Sequence, residues 1–85
     1  MYALSIVEQL DNRLFLCVKY QNNYRYYGIV YSFPEGHVIS LIDKNQNVLE
    51  HFKIPNTKTA EQALLDICKE YDEFWYPELF SLTSP

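Results

Sequence analysis

The chain has 85 residues, 48% apolar and 21% charged, with a formal net charge of −4. That bounds one small domain, residues 1–85, with an ordinary soluble composition. No apolar run approaches the roughly 20 residues that span a bilayer, and the first ten residues lack the basic and apolar regions of a secretory leader, so a cytoplasmic location with no membrane contact is expected. Aromatic residues reach 16%, and each can bury about 150–250 Å², which is how a short chain can reach adequate core size.

Residues 2–10 alternate loosely, with Tyr2, Leu4 and Ile6 on one face of a strand. Asp11 and Asn12 tolerate positive φ and read as a two-residue hairpin turn. Residues 13–20 alternate well: Leu14, Leu16, Val18 and Tyr20 share one face, and Arg13, Phe15, Cys17 and Lys19 the other. Gln21-Asn22-Asn23 is the next turn signal. The stretch from Tyr24 to Phe33 is β-branched and aromatic, as strands prefer. Strict alternation puts Arg25, Tyr27, Ile29, Tyr31 and Phe33 on one side and Tyr24, Tyr26, Gly28 and Val30 on the other. Gly28 inside such a strand marks a bulge, a bend or a close backbone approach.

Pro34 and Gly36 mark a turn, residues 37–42 a short strand, and residues 43–47 a polar hairpin loop. A fifth strand covers residues 48–54 and stops at Pro55-Asn56. Thr59 is a helix N-cap, with Gln62 three residues on and Glu61 at the positive end of the dipole. Ala60, Ala63, Leu64, Ile67, Cys68 and Tyr71 then recur at helical spacing, and Phe74 or Trp75 continues the stripe. Glu61, Gln62, Asp66, Lys69, Glu70 and Glu73 populate the opposite side. Pro77 ends the helix, and Leu79, Phe80 and Leu82 form an apolar tail. The expected fold is α+β: a five-stranded antiparallel meander, as a curled sheet or small open barrel, with one C-terminal amphipathic helix packed on it.

Signals for catalysis are absent from the sequence pattern. Cys17 and Cys68 sit at apolar positions, where reduced cysteines behave as small hydrophobes. His37 and His51 lie on separate strands with no spacing that links them to a cysteine or carboxylate, so no metal site and no Cys–His pair is expected. A site built from His37, His51 and Asp43 is the enzymatic alternative. Neither glycine opens the helix, so no phosphate cradle is expected, and no cofactor.

Charge is divided along the chain. Residues 1–58 hold five acids and six bases, whereas residues 59–85 hold six acids and one base. The expectation is therefore a non-catalytic protein-binding module, a modulator or inhibitor of a macromolecular partner with a basic surface. Its contact residues are expected in the aromatic strand (Tyr24, Arg25, Tyr26, Tyr27, Tyr31) and on the acidic helix (Asp66, Glu70, Asp72, Glu73), with Trp75 as an anchor. Asp72-Glu73 reads more simply as a solubilising patch, the tyrosines as half-buried fillers with wet hydroxyls, and Trp75 with Phe80 as closing one end of the core. The alternative function is a single-stranded nucleic-acid binder stacking bases on the tyrosine face, which the scarcity of nearby bases disfavours. An exposed aromatic edge or face also invites pairing of two copies as a homodimer.

Overall fold

Two-residue turns set the first two hairpins. Asp11, Gln21 and Asn22 all take positive φ, and two consecutive positive-φ residues at 21–22 match the right-handed twist of the strands they join. In the computed structural model, which describes residues 1–81, the strands are β1 (Tyr2–Leu10), β2 (Arg13–Tyr20), β3 (Asn23–Phe33), β4 (Gly36–Asp43) and β5 (Val48–Pro55). They form one antiparallel sheet in the order β1-β2-β3-β4-β5. The sheet is open, not a closed barrel, so β1 and β5 are its edges. Helix α1 (Ala60–Trp75) packs on one face, and a single-turn helix α2 (Glu78–Ser81) follows it. The expected α+β architecture is observed; α2 takes up part of the apolar tail that follows Pro77. The tail positions Phe80 and Leu82 lie outside the described side chains and residues.

Each turn has a local cause. The β3–β4 turn ends on Gly36 at φ 154°, where an added Cβ would run into the Ile54 carbonyl. Asp43 organises the β4–β5 loop by accepting from the backbone N–H groups of Asn45 (2.9 Å) and Asn47 (2.8 Å). Those bonds favour its charged form and hold its pKa below the usual carboxylate value. Thr59 caps α1 as its sequence promised, its hydroxyl accepting from the Gln62 N–H at 3.2 Å. At the other end the Tyr76 N–H bonds the Asp72 carbonyl, just before Pro77.

The core is the layer between α1 and the sheet. Leu16, Val18, Val30, Ile39 and Leu41 from the strands meet Ala63, Leu64, Ile67 and Cys68 from the helix, all buried. Gly28 shows why the helix sits so close. A Cβ there would lie 2.5 Å from Leu64 Cδ2 and 2.8 Å from Cδ1. The glycine marks a close approach, one of its three expected meanings, and no bulge falls on it. Tyr26, Gly28 and Val30 therefore face the helix, and Tyr27, Ile29, Tyr31 and Phe33 face away.

Gly28→Ala is expected to destabilise the fold by about 1–3 kcal/mol, the usual cost of overpacking a filled core. Leu64→Ala in the same chain relieves the clash, so a double-mutant cycle read by denaturant unfolding should return a favourable coupling between the two positions. Additive losses would place the glycine's role elsewhere.

Candidate functional site

The helix side of β3 departs from strict alternation. Val18 pairs with Tyr26 and Lys19 with Tyr24, which leaves Arg25 as an extra residue in a β-bulge. Two consecutive side chains, Arg25 and Tyr26, thereby reach the same point on α1. That point is Asp72, which is fully buried. Arg25 donates to it twice, Nε to Oδ2 at 2.8 Å and Nη2 to Oδ1 at 2.7 Å. The hydroxyl of Tyr26 donates to Oδ1 and that of Tyr2, from β1, to Oδ2, each at 2.5 Å. Every lone-pair direction of the carboxylate is thus used. No buried side-chain nitrogen or oxygen among the described residues lacks a partner.

Burial by itself would raise the Asp72 pKa, but the hydrogen bonds from Arg25, Tyr2 and Tyr26 outweigh it and the net shift is downward. Tyr2 and Tyr26 move up, first through burial and then through their bonds to Asp72. Arg25 is also held charged by the same carboxylate, and its guanidinium lies 5.1 Å from the Tyr26 ring and 5.2 Å from the Tyr76 ring.

This cluster corrects two expectations. Asp72 is no part of a solvated patch with Glu73, and neither Asp72 nor Tyr26 presents its side chain to solvent. Sequence reasoning missed the cluster although one signal was present: Asp72 stands four residues after Cys68 and eight after Leu64, squarely on the apolar stripe. An acid there needs a buried donor. Nothing in the sequence flags the bulge that delivers Arg25.

The remaining sequence-derived residues separate onto two surfaces. Tyr24, Tyr27 and Tyr31 lie on the sheet face away from α1, with Phe15, Cys17, Ile29, Phe33, Val38 and Ile42. Among the described residues no element covers this face. Its centre is protected by its own side chains, so that Cys17 is only 2% exposed, while Tyr31 and Phe33 stand out at the end. There the face deepens into a cleft of about 350 Å³ between Phe33, Val38, Lys53 and Pro55. At the other end Val7, Phe15, Tyr27 and Ile42 border a broad hollow. The bases of the face are Arg13, Lys19 and Lys53, and its acids are Glu8 and, at the cleft, Glu35, giving net +1; Lys19 lies over the Tyr24 ring at 4.9 Å.

The helical layer has the opposite sign but is less open than its sequence implied. Asp66 is taken by Lys58 at 2.9 Å and Gln62 at 3.0 Å. Glu73 lies 3.9 Å from Lys69. Glu70 remains exposed, and Glu50 of β5 joins it on the same side. Trp75 does not close the core. It is 59% exposed and Phe74 is 74% exposed.

His37 and His51 fall on opposite faces. The Lys58 carbonyl can only accept, so His37 Nε2 donates to it at 3.0 Å, and in the neutral ring Nδ1 accepts from the Ser32 hydroxyl at 2.9 Å. His51 pairs with Ser40 at 2.8 Å. With Asp43 engaged in its loop, these three groups converge nowhere. Among the described residues no three of His, Cys, Asp or Glu gather as a metal site would require, and no helix is long and apolar enough to cross a membrane. Cys17 and Cys68 are both free and buried, on opposite sides of the sheet. The chain matches no family model, no curated protein and no solved structure.

Asp72→Asn is expected to destabilise the protein by about 3 kcal/mol, the lower end for breaking a buried pair, because Arg25 retains some contact with solvent. The pH dependence follows from the shifts. The Asp72 contribution is fully present above the unfolded value near 4 and is lost as pH falls through the lower folded value. The two tyrosines stabilise fully below about pH 10 and lose their contribution above it. Denaturant unfolding across pH should show a steep acid limb that flattens in Asp72→Asn, and a tyrosinate absorbance titration should leave two tyrosines un-ionised until the protein unfolds.

Proposed function

We propose that this chain is a non-catalytic, cytoplasmic protein-binding module that modulates or inhibits its partner through the open face of its sheet. One observation carries the reading: a contiguous aromatic and aliphatic face lies uncovered, whereas α1 covers the centre of the opposite face of the same sheet. Strand spacing and rise give the whole face a span of roughly 400 Å², within which Tyr24, Tyr31 and Phe33 are exposed rings; a monomer's largest apolar patch is of that order and is often functional. Tyrosine, phenylalanine and a peripheral arginine are the residue types that dominate contact energies, and the polar rim of Arg13, Lys19 and Lys53 fits the usual interface anatomy. Reduced, buried cysteines accord with a reducing compartment. Relative to the sequence-based expectation, the weight moves from the acidic helix to Tyr27, Tyr31 and their neighbours, because Asp66 and Asp72 are held within the molecule.

A second reading has its own support. The open face is net positive although the chain is net negative, and its exposed aromatics resemble a stacking platform for single-stranded nucleic acid.

Tyr31→Ala/Phe33→Ala removes two exposed rings without entering the core. In affinity capture from the native host, the wild type is expected to retain a defined protein that this variant loses and Glu61→Gln keeps. Sedimentation of the purified chain checks whether that protein is a second copy. Salt-dependent binding of a single-stranded oligonucleotide, abolished by the same double variant, would instead establish the nucleic-acid reading.

A further inference from the structure

We infer that the cleft between α1 and the edge strand β5 is a recognition site for an arginine side chain carried on an extended, basic segment of a partner protein. This surface is separate from the open sheet face, and the inference stands whether or not that face binds a protein.

The cleft holds about 250 Å³. Its floor is the buried Ile67, its walls are Phe52, Tyr71 and Trp75, and two carboxylates, Glu50 from β5 and Glu70 from α1, stand at its lip on opposite sides. Among the described residues neither glutamate takes part in an ion pair. The three rings of the helix end form a connected group: Tyr71 and Trp75 have centroids 6.2 Å apart, and Phe74 meets Trp75 edge-on at 4.9 Å. Of these, Phe74 and Trp75 are exposed, and adjacent exposed rings are costly unless something covers them.

Aromatic faces beside free carboxylates select a cation, since the ring quadrupole and the two acids attract the same charge. A bare metal ion is a poor fit, because hard cations need a cage of oxygen ligands and two carboxylates at the lip do not make one. Guanidinium fits better than ammonium, being planar, weakly hydrated, and able to stack on a ring while bonding a carboxylate through its fork. The protein already uses this arrangement internally: Arg25 lies against the Tyr26 and Tyr76 rings while its fork grips Asp72. The cleft repeats the aromatic and acidic half of that arrangement with no arginine in it.

The neighbouring backbone explains how the arginine arrives. As an edge of the sheet, β5 offers one row of backbone groups to an added strand. A peptide paired there would lie about 4.8 Å from β5, and every second side chain would fall beside Glu50 and Phe52, over the mouth of the cleft.

Trp75 is the chain's single tryptophan, so its fluorescence reports on the cleft alone. Titration of the full chain with a short peptide of alternating arginine and glycine is expected to give a saturable change in emission. Glu50→Gln/Glu70→Gln should weaken binding about tenfold, while Tyr31→Ala/Phe33→Ala leaves it unchanged; both pairs are exposed, and circular dichroism verifies folding. The inference is overturned by no saturable change, by equal binding of the citrulline-for-arginine peptide, or by equal binding of the matching lysine peptide. Undiminished affinity in the double glutamine variant would overturn it as well.

Discussion

One carboxylate fixes how the helix lies on the sheet. Hydrophobic contact between α1 and the strands is non-directional and would tolerate some rotation or sliding of the helix. Asp72 removes that freedom, because its two oxygens must meet donors from β1 and β3 at once. A buried ion pair is weak evidence for net stability, since desolvation offsets much of the attraction. Its effect here is on uniqueness. Any other register of α1 would leave an acid in the core without its four donors, at a cost the small core could not absorb.

Much of the architecture was legible because it rests on local chemistry. Asp11-Asn12, Pro34-Gly36 and the Thr59 cap each act within a few residues of chain, and period-2 alternation located β2 and β3 well. The direction of the faces was not legible, because alternation says which residues share a side and not which side the helix covers. Gly28 held that answer: the residue with no Cβ sits where Leu64 comes closest. The Asp72 cluster was hidden for a different reason. It joins residues 47 and 70 positions apart, and it needs a bulge at Arg25 that shifts the strand out of its simple period. The exposure of Trp75 was equally hidden, since its helical spacing places it on the apolar stripe, yet it stands at the open cleft beside the edge strand β5.

Folding around that cluster divides the molecule electrically. The open sheet face is net positive, whereas the acids of the helical layer are partly spent on internal partners and partly gathered near β5. A single net charge of −4 therefore describes neither surface. For a partner in solution, the sign of the protein depends on the side from which it is approached.

The strand order also carries a kinetic consequence. Because every strand pairs only with its neighbours in sequence, the sheet can assemble hairpin by hairpin with short loops to close. The reach from Tyr2 to Asp72 is the exception, spanning nearly the whole chain. Docking of α1 therefore brings together the parts of the chain farthest apart in sequence, the kind of non-local contact that slows folding.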